Sequence, residues 1–105
     1  MKKYARTNKN YMEAIPSMED IAGMIGEAIF TDCPYQYCYC NVVNGAFFIK
    51  VVNDFDTWGD YDTVFSCTIK PHSTVYRANI PSAYVDVVSE AINIMQVEGV
   101  DVKMV

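Results

Sequence analysis

The dipeptide Asn44-Gly45 separates two runs of β-forming residues, and it constrains the fold of this chain more than any other feature. A two-residue type I′ turn needs positive φ at both central positions, which Asn and Gly adopt most readily. The pair therefore predicts a β-hairpin over residues 36–53. A loop of two residues also fixes the register, with Val43 opposite Ala46, so each side chain of the hairpin can be assigned to a face.

Both faces of the predicted hairpin carry large apolar side chains. One face should join the hydrophobic core, and it consists of Cys38, Cys40, Val42, Phe47, Ile49 and Val51. The opposite face, called the outer face below, consists of Tyr37, Tyr39, Asn41, Phe48, Lys50 and Val52. A sheet face in contact with water is normally polar, so we expect the outer face to be covered. The cover would be the chain's own N-terminal arm, a second copy of the chain or a foreign protein.

Two amphipathic helices are predicted, one before and one after the strands. Ser17 is a good N-cap for the first helix, and Asp20 occupies the capping-box position but is short for the reciprocal bond. The second helix opens at Pro81-Ser82 and stops at Gly99. The apolar stripe of the first helix comprises Ile21, Met24, Ile25, Ala28 and Ile29, and that of the second comprises Tyr84, Val88, Ala91, Ile92 and Met95.

Two further strands are predicted by alternation over residues 63–70 and 74–80. The order α-β-β-β-β-α favours an α+β two-layer sandwich, in which a four-stranded antiparallel meander packs both helices on one face. Alternation in residues 100–104 adds a possible fifth, C-terminal edge strand. We expect residues 1–15 to form an irregular basic N-terminal arm and residues 16–105 to form a single α+β domain.

The formal net charge of −5 is distributed unevenly. Four bases and no acid lie before Tyr11, which leaves 13 acidic residues against 4 basic ones in the remainder. A body this acidic repels nucleic-acid phosphate and suits a basic protein surface. Nucleic acid is therefore disfavoured, and single-stranded nucleic acid stacked on the aromatic outer face stays only as an alternative.

Residues 54–62 form an acid-rich stretch around the only tryptophan, in a connection longer than a hairpin requires. Gly59 has the position of the glycine in a calcium-binding loop, but Phe65 stands where the bidentate carboxylate is needed, so we expect no metal. Tryptophan and tyrosine amid carboxylates suit a hot spot that meets a basic partner, and a lid packed on its own domain is the alternative. The predicted partner-binding residues are Trp58, Asp54, Asp56, Asp60, Asp62 and Tyr61.

The cysteines and the only histidine define the competing class, a small enzyme or metal protein using Cys33, His72 and the Asp60/Asp62 pair. The four cysteines form no recognised zinc or disulfide pattern, and we interpret them as small apolar residues in a reducing, cytoplasmic compartment. The chain has no phosphate-binding loop, dinucleotide fingerprint or nucleophile elbow, so we expect no catalytic residue and no cofactor. No apolar run reaches the roughly 18–20 residues that span a membrane.

The sequence thus predicts a non-enzymatic acidic protein-interaction module that docks on a basic protein surface. A phage- or mobile-element-type inhibitor is the most concrete version, since a small acidic body can block a basic cleft by charge complementarity. We also predict a homodimer through the outer face, because monomers rarely expose large apolar patches. Its contact residues would be Tyr37, Tyr39, Phe48 and Val52.

Overall fold

The structure is a computed structural model that describes residues 16–30, 36–53 and 63–105. In chain order the elements are α1 (Met18–Ile29), β1 (Gln36–Val43), β2 (Ala46–Asn53), β3 (Thr63–Ile69), β4 (Ser73–Val75), α2 (Val85–Val97) and β5 (Val102–Met104). Two short 3₁₀ helices, Arg77–Asn79 and Ser82–Tyr84, stand between β4 and α2. The protein is α+β, with a three-stranded sheet of order β1-β2-β3 and a two-stranded sheet of β4 and β5.

The predicted hairpin is confirmed. Asn44 and Gly45 have φ values of 53° and 77°, as the two-residue turn requires. β1 pairs antiparallel with β2 from Gln36 opposite Asn53 to Val43 opposite Ala46, which is the predicted register. The local turn chemistry therefore determines the pairing of these sixteen residues and the face on which each side chain lies.

The third strand also lies where alternation placed it, antiparallel to β2. Ile69 is buried, Phe65 and Cys67 are half-buried, and Ser66 and Thr68 on the opposite face are exposed. The register shifts between Val51 and Val52, so β3 carries a bulge at its N-terminal end. The three strands together form a sheet with one buried face and one largely open face.

The predicted fourth strand over residues 74–80 is wrong in length and in partner. β4 ends at Val75, and Tyr76 is 54% exposed. Pro71-His72 turns the chain with a positive φ of 65° at His72, and β4 leaves the meander. It pairs parallel with β5 instead, with Ser73 opposite Val102. The meander is therefore three-stranded, because the C-terminal segment supplies a partner that local alternation cannot reveal.

The C-terminal strand is held by hydrogen bonds at several points. The backbone N–H of Arg77 donates to the carbonyl of Val105 at 2.8 Å, and the N–H of Val105 donates to the carbonyl of Val75 at 2.9 Å. The side-chain amide of Gln96 donates to the carbonyl of Val102 at 2.9 Å. The predicted fifth strand thus exists, but it belongs to the separate parallel pair.

Each helix is bounded by side-chain or backbone caps. The hydroxyl of Ser17 accepts from the N–H of Asp20 at 3.1 Å, and the Asp20 carboxylate accepts from the N–H of Ser17 at 3.2 Å. The capping box is therefore complete, although Asp20 looked too short for it. α2 ends at Val97, and Gly99 follows its C-cap with a φ of 93°. The N–H of Val100 donates to the carbonyl of Met95, which completes a Schellman arrangement.

One hydrophobic core joins both helices to the inner face of the three-stranded sheet. Met24 was predicted in the α1 stripe but is 39% exposed, and Ala22 is buried in its place. α2 begins one turn later than predicted, because residues 82–84 form a 3₁₀ turn. The fully buried large side chains of the core are Phe47, Ile25, Ile29, Ile49, Ile69, Met95, Val51, Val87 and Val88.

Candidate functional site

The predicted contact residues fall in two groups. The contact residues predicted in the acid-rich stretch lie outside the described residues, as do Cys33 and the N-terminal arm. The predicted contact residues of the acid-rich stretch are Trp58, Asp54, Asp56, Asp60, Asp62 and Tyr61. The contact residues predicted on the outer face lie in β1 and β2, and the structure shows which residue of the other strand each one faces. The candidate site is therefore built from the outer face.

The hairpin register places two tyrosines of β1 beside two residues of β2 on the outer face. Tyr37 pairs with Val52, and Tyr39 pairs with Lys50. Tyr37 and Tyr39 are 43% and 37% exposed, whereas Val52 is only 5% exposed. Tyrosine presents a large apolar ring and a polar hydroxyl at low conformational cost, which suits contact with another molecule. The two rings stand on strands, so their positions are set by the sheet.

An open groove of about 650 Å³ runs over these residues. Phe30, which directly follows α1, adds a third aromatic ring and is 56% exposed. Sequence reasoning missed Phe30. The available signal was a large aromatic residue one position beyond the buried stripe of α1. The aromatic groove, as we call it below, is lined by Phe30, Tyr37, Cys38, Tyr39, Lys50 and Val52.

Charge on the described surface is divided between the two layers. Lys50 is the charged residue among the described residues that line the aromatic groove. Neither α1 nor α2 contains a lysine or arginine, so the charged residues of both helices are all acidic. These carboxylates are Glu19, Asp20 and Glu27 of α1, Asp86 and Glu90 of α2, and Glu98 at the end of α2. The field of the helical layer attracts cationic surfaces.

The cysteines of the sheet lie on its inner face. Cys38 and Cys40 are buried, and Cys67 is half-buried. Burial raises the pKa of the Cys40 thiol to about 12, with a smaller contribution from nearby Cys67. Burial also raises the pKa of the Cys67 thiol to about 11. Because the thiolate is the nucleophile and the metal ligand, both groups are poorly suited to either task near neutral pH.

His72 sits at an exposed turn. Its Nδ1 lies 3.0 Å from Oδ2 of Asp101, and both side chains are almost fully in water. Within residues 16–30, 36–53 and 63–105, no three His, Cys, Asp or Glu side chains come together as a metal-binding group. His72 therefore acts here as a surface link between the β3–β4 turn and the start of β5.

Neither described helix is both long enough and apolar enough to cross a bilayer. Comparison with protein-family models, with curated proteins and with solved structures finds no significant match to this chain. Function must therefore be inferred from the groove, its charges and the sequence beside it.

Proposed function

We propose that this chain is a non-enzymatic protein-interaction module that binds a basic protein partner through the aromatic groove. The observation that supports it most is the groove of about 650 Å³ with exposed Tyr37 and Tyr39 on one wall. Tyrosines in concave, well-supported positions are typical hot spots of protein interfaces. The groove stands on paired strands, which hold its side chains in place before a partner arrives.

The chemistry of the partner is suggested by charge. An apolar or aromatic side chain of the partner would fill the groove, and Lys50 would donate to a carbonyl or carboxylate at its rim. The carboxylates of α1 and α2 favour the approach of a basic surface from a distance. The acid-rich stretch also begins directly after Asn53, the neighbour in sequence of Val52 in the groove. We propose that Trp58 and the aspartates of this stretch extend the same contact.

The most concrete form of the proposal is a phage- or mobile-element-type inhibitor that acts in the cytoplasm and blocks a basic cleft. Small size and a net charge of −5 support this form. A partner with a nucleic-acid-binding cleft would present the complementary charge, since such clefts are lined by lysine and arginine.

The two alternatives have less support. A cysteine-histidine enzyme would need an accessible thiolate, and Cys33, the cysteine predicted for it, lies outside the described residues. Among the described cysteines, the raised pKa values of Cys40 and Cys67 make these two thiols poor nucleophiles. Single-stranded nucleic acid would need a basic track beside the aromatic rings. Arg77 lies in a 3₁₀ helix and not on a strand of the sheet. Lys50 is thus the one cation among the described residues that line the groove.

Capture from lysate tests the proposal with the wild type and two matched variants. Tyr39→Ala removes a groove ring, and Asn41→Ala changes an exposed residue two positions along the same strand. We expect a partner to be retained at about 0.15 M salt by the wild type and Asn41→Ala and lost by Tyr39→Ala. Retention should weaken at about 0.5 M salt, because screening shortens the reach of the charges.

Absence of any partner at both salt concentrations would remove the proposal. A homodimer through the same face is the alternative occupant of the groove, as the exposed tyrosines permit it. Sedimentation distinguishes the two occupants: a groove homodimer would dissociate in Tyr39→Ala, whereas a protein that binds a foreign partner would show no change in its own mass. Equal partner capture by Tyr39→Ala and Asn41→Ala would place the contact elsewhere.

A further inference from the structure

The edge of β3 is a surface separate from the aromatic groove. In the Asn44-Gly45 turn, Val43 and Ala46 form a hydrogen-bonded pair, and bonded and non-bonded pairs then alternate along the strands. By this alternation Ile49 of β2 is not hydrogen-bonded to β1, so its backbone groups point toward β3. Ile49 lies opposite Cys67, and the N–H and C=O of Cys67 therefore point toward β2. The N–H and C=O groups of Ser66 and Thr68 consequently point away from the three-stranded sheet.

These outward groups are unpaired in the part of the chain that the structure describes. β3 has β2 as its only strand partner there, and neither Ser66 nor Thr68 makes a further hydrogen bond. Their side chains are exposed as well. A row of unpaired backbone groups on an accessible strand is a template for pairing with another strand.

The sequence of β3 carries few of the devices that normally protect such an edge. Thr63–Ile69 contains no charged residue and no proline, which are the usual protections. The one protective feature is the bulge near Val64, and it affects only the N-terminal end. The part from Phe65 to Ile69 is regular, and no other described strand pairs with its outward edge.

We propose that β3 pairs antiparallel with β3 of a second copy of this chain, across a twofold axis at Cys67. This inference goes beyond the proposed function, since it uses a different surface. Ser66 would face the partner's Thr68, and their outward backbone groups would form the hydrogen-bonded pairs. The two three-stranded sheets would become one six-stranded sheet with an isologous interface.

A second copy suits this edge because the strand is self-complementary about Cys67. In the proposed register Ser66 and the partner's Thr68 form a polar pair on the outer face. Phe65 and the partner's Ile69 form an apolar pair on the inner face, where Phe65 is only half-buried in the single chain. No like charges meet, and cross-strand pairs of matched polarity stabilise a sheet. A foreign strand would have to reproduce this pattern by chance.

Charge substitutions at two exposed positions test both the pairing and its register. Ser66→Glu with Thr68→Glu places like charges opposite each other, whereas Ser66→Glu with Thr68→Lys places opposite charges there and is the matched control. We expect the wild type to sediment at about twice 11.9 kDa. The Glu/Glu variant should dimerise at least about 100-fold more weakly, and the Glu/Lys variant within about 10-fold of the wild type. Circular dichroism verifies that both variants fold.

Three outcomes would overturn the proposal. The wild type could remain a monomer at about 0.2 mM protein, which would leave the edge unused or open to a foreign strand. The Glu/Glu variant could dimerise as well as the wild type, which would move the interface elsewhere. The Glu/Lys variant could be as weak as Glu/Glu, which would exclude the Cys67-centred register. Partner capture that depends on Tyr39 would stand unaffected by any of these outcomes.

Discussion

Phe65 of β3 and Tyr84 stack with their ring centroids 4.8 Å apart and their planes 11° from parallel. The contact ties the edge strand of the antiparallel sheet to the turn that precedes α2. Both rings are half-buried, so the pair combines apolar burial with ring geometry. Paired aromatic rings contribute about 0.5–1.5 kcal/mol beyond the area that they bury.

A double-mutant cycle measures this pair. Phe65→Ala and Tyr84→Ala should each destabilise the fold, and the double variant should lose about 1 kcal/mol less than the sum of the two. Chemical denaturation supplies the unfolding free energies. Tyr84→Phe retains the ring and should stay close to the wild type. Strict additivity of the two alanine variants would show that the stack itself contributes nothing.

Replacement of a glycine in α1 by alanine is expected to stabilise the fold. A Cβ at Gly23 would meet no described residue within 4 Å, and a Cβ at Gly26 would lie 3.9 Å from the backbone nitrogen of Cys40, an ordinary contact. Close approach of α1 to the described residues of the sheet therefore does not require a glycine at position 23. Gly23→Ala should raise the unfolding free energy by up to about 1 kcal/mol, as alanine favours a helix.

Gly99→Ala serves as the control for this substitution. A Cβ at Gly99 would also meet no described residue within 4 Å, but the φ of 93° at this position strains any residue with a side chain. We expect it to lower the melting temperature, while Gly23→Ala raises it. A decrease with Gly23→Ala would indicate that the exposed face of α1 has a contact that the described residues do not include.

We expect the free energy of unfolding to decrease at alkaline pH, because the thiols of Cys40 and Cys67 are buried. Folded Cys40 and Cys67 hold their protons to pKa values of about 12 and 11, against an ordinary value of 9.0. The protonated thiols contribute their full stability to the fold below pH 9. This contribution declines as the pH rises toward 11–12, because the unfolded chain then binds fewer protons than the folded chain. Denaturant midpoints measured at intervals above pH 8 should follow this decline.

Cys67→Val provides the comparison, because it removes a thiol while keeping an apolar side chain on the inner face. Above pH 9, the unfolding free energy of the wild type should fall more steeply with pH than that of the variant. A difference that stays constant up to pH 11 would contradict the protection of Cys67 in the folded state.

Trp58 lies outside the described residues, and its role is predicted from sequence alone. If it is part of the partner contact, as we propose, Trp58→Ala should weaken partner binding by about 2 kcal/mol or more and leave the melting temperature nearly unchanged. A lid would behave differently, since loss of a buried indole destabilises a fold by roughly 3 kcal/mol or more. A melting curve measured beside a binding curve separates the two roles.

The elements that sequence predicted well are those determined by neighbouring residues. The hairpin register follows from Asn44-Gly45, and the helix start follows from Ser17 and Asp20. The alternation of β3 likewise placed Phe65 and Ser66 on opposite faces. In each case the decisive interactions link residues close in the chain, so composition and spacing are sufficient to infer them.

The features that sequence did not reveal depend on distant partners. Residues 74–80 alternate like a strand, yet β4 is short because its partner is β5 rather than β3. Val52 was predicted as a contact residue for a second copy, yet it is already buried within the single chain. Phe30 reaches the groove because α1 ends beside β1, and no local pattern specifies where a helix packs on a sheet.

The parallel pairing of β4 with β5 also affects the order in which the chain folds. The hairpin joins adjacent segments and can close within about 1–10 μs, whereas β4 must meet a strand about 30 positions away, beyond α2. Loop-closure entropy is therefore incurred before any β4–β5 bond forms. We expect amide hydrogens of β1 and β2 to become protected from exchange early in refolding. Those of β4 and β5 should follow only after α2 has docked on the sheet.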